Sequence, residues 1–206
     1  MTDPRLAPRP TRKADRREAT RRRLLDAARR LIAEKGFEET SVTEIARAAG
    51  VTHAMINVYF NGKAGLLYEI LSESNQDQID RSGAAERCEG GLIERITRLI
   101  ETWIEGDLAD PRLAAVMLAY SWQWPAATEA ANRAQRDRGL ETARRIVRRG
   151  VAEGELRPDV DVEDLVQVIY AIYLSGLRPA VIDGDALAAC VERIRRRIAL
   201  VLRGAG

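Results

Sequence analysis

The side chains able to make or break bonds are few and scattered. His53 is the sole histidine, and Cys88 and Cys190, the two cysteines, lie far from it and from each other along the chain. A zinc or haem site draws its ligands from short, recurring spacings, so no metal and no cofactor is expected, and the cysteines are read as isolated reduced thiols. No nucleophile, general base and orienting group assemble from motifs, and no Gly-rich phosphate loop of recognised form occurs. Hence no catalytic residue is assigned and an enzyme is not expected.

Two other kinds of chemistry are concentrated. Residues 1–65 hold 14 Lys and Arg against 8 Asp and Glu, a net of +6, whereas the remaining residues hold 19 against 23, a net of −4. A basic end gains from phosphate both by direct attraction and by counterion release, so it points to a polyanion such as double-stranded DNA; an Arg-rich solvated tail is the plainer alternative. The second concentration is aromatic. All three tryptophans and a tyrosine fall between positions 103 and 124, as Trp103, Tyr120, Trp122 and Trp124, with Met117 nearby. Tyr120 and Trp124 share a face if their helix persists, and Trp103 could close over them. Such rings suit an apolar, planar or cationic small molecule, the last by cation–π attraction, with Glu101, Glu105, Tyr170 and Tyr173 as polar partners. Equally, they could fill the core of a large domain.

The elements that must position these residues read as helix throughout, giving an all-α fold. Apolar residues recur at three and four in Leu24, Ala27, Ala28, Leu31 and Ile32, so a first helix is expected over residues 15–35, stopping at Gly36, with Phe37 plugging a small core. Ser41-Val42-Thr43-Glu44 has the form of a capping box, which starts a short helix at Val42. Gly50 then supplies a turn, and Thr52 is placed to cap a second short helix ending near Tyr59 or Phe60. A further helix runs from Lys63 towards Asp80, and the Gly/Ala/Arg/Glu stretch from Arg81 to Gly91 reads as a loop. Longer helices follow over about 91–105, 111–122, 125–153, 162–177 and 185–203, with Asp110 and Asp161 as capping carboxylates. The helix from Val162 is apolar nearly all round and must be covered on more than one side.

Two short helices joined by a Gly turn, beside an Arg-rich helix, have the form of a helix-turn-helix, whose second helix enters the DNA major groove. An ordinary helical corner has the same outline. The residues sharpen it: Thr40-Ser41-Val42-Thr43-Glu44-Ile45-Ala46, then Gly50-Val51-Thr52, then Tyr59-Phe60 with Lys63, Leu66 and Leu67, closely resemble the tetracycline-repressor (TetR) family over roughly residues 22–71. The resemblance implies a flexible basic arm (1–14), a three-helix DNA reader (15–62), and a helical domain (63–206) that dimerises and binds an effector. It further implies phosphate contacts from Thr43, Thr52, Tyr59 and Lys63, with His53, Ala54, Met55 and Asn57 facing the groove. The sequence departs from the family pattern at Ala54, where glycine is usual, at Asn57, where tyrosine is usual, and at Gly62 and Ala64, where a Ser-Lys-Glu-like start is common.

The function expected is a ligand-responsive transcriptional repressor that binds a pseudo-palindromic operator as a homodimer and is released by a small-molecule effector held by Trp103, Met117, Tyr120, Trp124 and Tyr173. The alternatives are an all-α binding protein or enzyme that uses the aromatic pocket, its helix-turn-helix only structural, and a sequence-independent DNA-coating protein. No run of about 18 apolar residues and no secretory signal is read in the sequence, so a cytoplasmic protein without a membrane partner is expected.

Overall fold

The computed structural model describes residues 12–120 and 124–205. Among the described residues nine α-helices follow one another and no strand occurs. They are α1 (Arg12–Lys35), α2 (Val42–Ala48), α3 (Ala54–Phe60), α4 (Lys63–Glu86), α5 (Leu92–Leu108), α6 (Pro111–Tyr120), α7 (Ala126–Ala152), α8 (Val162–Ile182) and α9 (Leu187–Ala205). The chain forms two compact units, one ending at Ile70 and the other beginning at Leu71, so the division falls inside α4.

In the first unit α1 buries Leu24, Leu25, Ala28 and Ile32, which lie one and two turns apart on a single stripe. Phe37, Ile45, Ala46, Ile56, Phe60, Leu66 and Leu67 are buried as well. Of the basic arm expected over residues 1–14, only 12–14 fall among the described residues, and these already belong to α1.

The second unit has its own core, in which Ile96, Leu99, Ile100 and Ile104 of α5 meet Ala143, Ile146 and Val147 of α7, Val166, Ile169 and Leu177 of α8, and Ile194 and Ile198 of α9. Arg95, wholly buried, ties α5 to the turn after α7 through Glu153 (2.6 Å) and Glu155 (2.5 Å). On length and composition α8 could cross a membrane; it packs against α5, α6, α7 and α9, yet only 39% of its most apolar stretch is buried by them, so the single chain covers its apolar circumference only in part.

Two expectations fail here. The stretch from Arg81 is not a loop: α4 continues to Glu86, because Ser82 and Ala85 are buried and the Ser82 hydroxyl donates to the Gln78 carbonyl (2.7 Å) and accepts from the Trp103 indole N–H (3.1 Å). Packing of small residues sustains a helix that apolar periodicity does not announce. Likewise α8 does not stop near Leu177 but runs through Pro179 to Ile182, with Ala180 buried beyond the proline.

Candidate nucleic-acid interface and ligand cavity

The first unit builds its outer face on local contacts. Ser41 Oγ accepts from the Glu44 backbone N–H (3.2 Å) while Glu44 Oε2 accepts from the Ser41 N–H (3.0 Å), and the other carboxylate oxygen pairs with Lys35 Nζ (2.6 Å). The ammonium of Lys35, followed by the Ser41 donors, holds the Glu44 carboxyl down to about 2. The cap fixes where α2 starts, and Gly50, in the left-handed region at φ +68°, turns the chain toward α3.

Thr52, placed by the sequence as the cap of α3, does not cap it. His53 already has helical dihedrals (φ −59°, ψ −29°) and no side chain caps the helix; the Thr52 carbonyl instead accepts the Met55 N–H at 3.0 Å. The Thr52 side chain therefore stays on the surface.

A helix of seven residues is too short to stand alone. Ile56 and Phe60 hold α3, each burial contributing about 1.5–3 kcal/mol. With those two positions facing in, Thr52, His53, Ala54 and Asn57 face out, as does Val58, which is 64% exposed. Val58 lies one turn beyond Ala54 on the same face. Met55 and Tyr59 are half-buried, Tyr59 beneath the Arg17 guanidinium, which lies 5.8 Å from its ring centroid. Thr43 is exposed on α2.

Lys63 Nζ sits 4.2 Å from the Phe37 ring centroid and donates to the Glu38 carbonyl at 3.4 Å. Burial pushes its ammonium below the ordinary lysine range, opposed by Glu38 and Glu39. At the same helix start Gly65 lies against the Phe60 carbonyl so closely that a Cβ would come within 1.7 Å of the oxygen. That approach sets the α3–α4 turn.

Sequence reasoning misses Val58, Arg17 and Arg23. Val58 is an apolar residue with no motif to single it out, and its exposure follows only once Ile56 and Phe60 fix which side of α3 faces in. Arg17 meets a ring 42 positions away, and Arg23, exposed on α1, brings a guanidinium nitrogen near Gly50. No local signal marks either pairing.

The second unit contains a cavity of about 20 Å³, walled by α4, α5, α6 and the α5–α6 turn, with Asn75, Asp107, Asp110, Leu113 and Met117 among its lining residues. Asp107 accepts from Gln78 Nε2 (2.8 Å) and from the Tyr173 hydroxyl. Burial raises its carboxyl above the usual range against the lowering effect of those two donors, and burial, followed by the Asp107 charge, raises the Tyr173 phenol. Trp103 packs edge-on against Tyr173 (5.2 Å) and Tyr170 (6.5 Å).

Of the residues expected to hold an effector, Met117 lines this cavity, and Trp103 and Tyr173 lie behind Asp107. The Tyr120 and Trp124 rings pack against each other at 5.6 Å, tilted by 44°, although α6 ends at Tyr120 and Trp124 is not helical. Trp122, the expected end of that helix, lies outside the described residues. Glu101 is paired with Arg98 (3.1 Å) and Glu105 is exposed. Asp107 is a further residue that sequence reasoning does not single out.

Residues 24–70 match the model of the bacterial regulatory proteins of the TetR family, and residues 89–194 match that of the tetracyclin-repressor-like C-terminal domain. The chain belongs to the TetR family. It is 29% identical over 166 residues to the HTH-type transcriptional regulator AcrR of Shigella flexneri, covering 78% of this chain and 77% of that protein. Its fold matches that of the transcriptional regulator FadR from Bacillus subtilis, solved in complex with stearoyl-CoA, with a TM-score of 0.72 at 22% identity over 86% of this chain and 96% of the other. The TetR-family regulator PfmR from Thermus thermophilus gives a TM-score of 0.65 at 28% identity, covering 88% and 97%. The protein is a TetR-family transcriptional regulator whose DNA-binding helix-turn-helix lies within residues 24–70.

Proposed function

We propose that this regulator is a cytoplasmic repressor without enzymatic activity, which binds a pseudo-palindromic operator as a homodimer and lets go of it when a small molecule enters the second unit. The observation that carries the DNA reading is the outward face of α3 and the residues that lead into it: Thr52, His53, Ala54, Asn57 and Val58 are exposed together, with α3 pinned from behind by Ile56 and Phe60. In the major groove Asn57 has the paired donor and acceptor that suit adenine, and Val58 and Ala54 suit a thymine methyl. Thr43, Thr52, Tyr59 and Lys63, with Arg17 and Arg23, are the phosphate contacts that set register. We take the reader as residues 15–62 and the effector and dimer domain as 63–206.

Dimerisation is supported by apolar surface that the single chain leaves open, namely Val168 and Ile182 on α8 and Leu187 and Leu200 on α9, the last 73% exposed. Two copies joined there would carry two readers, which matches a site of two related halves. Effector control is supported by the small, partly open cavity beside Asp107 and by the ligand-bound state of the structurally similar FadR.

Genomic fragments selected by the purified protein should share a pseudo-palindrome and be retained against excess random DNA; equal loss to the competitor would overturn specific binding. Lys63→Ala is expected to weaken binding to all sequences and to reduce the salt slope by about 1. Unchanged retention at every salt concentration would remove Lys63 from the phosphate contacts.

A further inference from the structure

The cavity in the second unit has one sign of charge. Its charged lining residues are Asp107 and Asp110, and among the described residues no Lys or Arg lines it. Asp110 is partly committed, since its Oδ1 caps α6 by accepting from the Leu113 N–H at 3.0 Å. Asp107 is not. It is 8% exposed, its hydrogen bonds from Gln78 and Tyr173 both come from neutral donors, and no ion pair to it occurs among the described residues. A carboxylate has room for about four donors, and among the described residues two are seen, one on each oxygen. A buried carboxylate held only by neutral groups is costly to keep ionised, and a cation brought against it removes that cost. Tyr173, hydrogen-bonded to Asp107, belongs to an aromatic cluster with Trp103 and Tyr170, and an aromatic face, unlike an edge, favours positive charge.

We propose that the effector is an organic cation, a protonated amine or quaternary ammonium on a small apolar group, whose charge sits against Asp107. The proposal rests on the reading of this cavity as the effector site. It also separates the protein from regulators that hold an acyl-CoA, because a phosphate or carboxylate group here would meet two carboxylates and no compensating cation. The cavity has room for about one water in this state and is partly open, so a larger ligand needs its walls to move, and α6, a helix of ten residues, contributes only Ala114 as a fully buried side chain.

Three probes of nearly equal shape test the charge: benzylamine, cationic at neutral pH, benzyl alcohol, neutral, and benzoate, anionic, each titrated calorimetrically into the full-length protein. Benzylamine is expected to bind tightest, about tenfold or more ahead of benzyl alcohol, with benzoate weakest. Asp107→Asn is expected to remove that tenfold advantage while leaving benzyl alcohol within about twofold. Benzylamine that fails to bind at millimolar concentration, benzyl alcohol or benzoate binding as tightly, or a cooperatively melting Asp107→Asn protein that binds benzylamine as before, would each overturn the proposal. If Asp107→Asn does not melt cooperatively, the order of the three probes on the unaltered protein decides alone. Operator affinity is followed in parallel. Benzylamine bound tightest with no change in operator affinity supports the cation preference and overturns the effector reading, whereas operator release by benzoate or lauroyl-CoA, with benzylamine inert, does the reverse.

Discussion

Thr43, Thr52 and Asn57 stand in solvent on helices of seven residues or at their edge, whereas Gln78, Ser82 and Asp107 are buried on helices of twenty-four and seventeen. In the first unit the working groups face outward from a framework fixed by neighbours in sequence, such as the Ser41 and Glu44 pair three positions apart. In the second they face inward and are satisfied across the fold, Gln78 by Asp107 29 positions on and Asp107 by Tyr173 66 positions on. A surface that reads DNA needs rigid support and free polar atoms. A site that senses a small molecule needs polar atoms already desolvated, where a single charge has most effect.

The contrast can be broken most forcefully from the first unit. Gly65→Ala would drive a methyl group into the Phe60 carbonyl, which is backbone and cannot swing aside, and is expected to cost about 3 kcal/mol in urea unfolding together with loss of operator retention. A wild-type midpoint would show that the α3–α4 turn has slack. The next effect belongs to the second unit. Tyr173→Phe keeps the ring but strips Asp107 of one of its two donors, and is expected to cost about 2 kcal/mol near neutral pH while leaving operator preference alone. Should it cost nothing, the inward network would be ornamental to stability.

Smaller and confined to the outer face is Val58→Ala. It is expected to leave the melting temperature unchanged and to lose about 1 kcal/mol only on operators with thymine at one position of each half-site, as a base-substitution series would reveal. The smallest effect is expected from Glu44→Gln. The Glu44 carboxyl lies at about 2 in the folded protein against an ordinary 4.5, so its stabilisation is complete above pH 4.5 and disappears as pH falls from there toward 2. Melting temperatures of the two proteins should therefore differ at neutral pH and converge in acid. A gap that persists at pH 2 would assign the loss to the amide's poorer capping geometry.

How much the sequence discloses follows the same line. The α2 cap, the turn at Gly50 and the buried Ile56 and Phe60 are legible because each depends on residues within one or two turns of chain. The Thr52 cap is misread because nothing in the local pattern reveals that His53 is already helical. The continuation of α4 past Arg81 is invisible for a different reason: Ser82 and Ala85 carry no apolar stripe, and what holds them in a helix is the indole of Trp103 and the core around it. Asp107 looks like one acid among many in the segment after Glu101, and only the approach of Gln78 and Tyr173 makes it singular. The aromatic concentration points to the second unit, but Tyr120 and Trp124 pack against each other, tilted, and neither is among the residues that line the cavity beside Asp107.

A chamber with room for a single water sets a clock as well as a preference. The cavity is partly open, but a larger guest fits only where its walls, Leu113 and Met117 among them, widen; if widening precedes entry, association levels off at the rate of widening as guest concentration rises. Observed affinity is then the intrinsic affinity scaled by the fraction of molecules already open. Trimming Leu113 or Met117 would thus shift the concentration at which the protein responds without altering which molecules it prefers, leaving sensitivity and selectivity under the control of different residues.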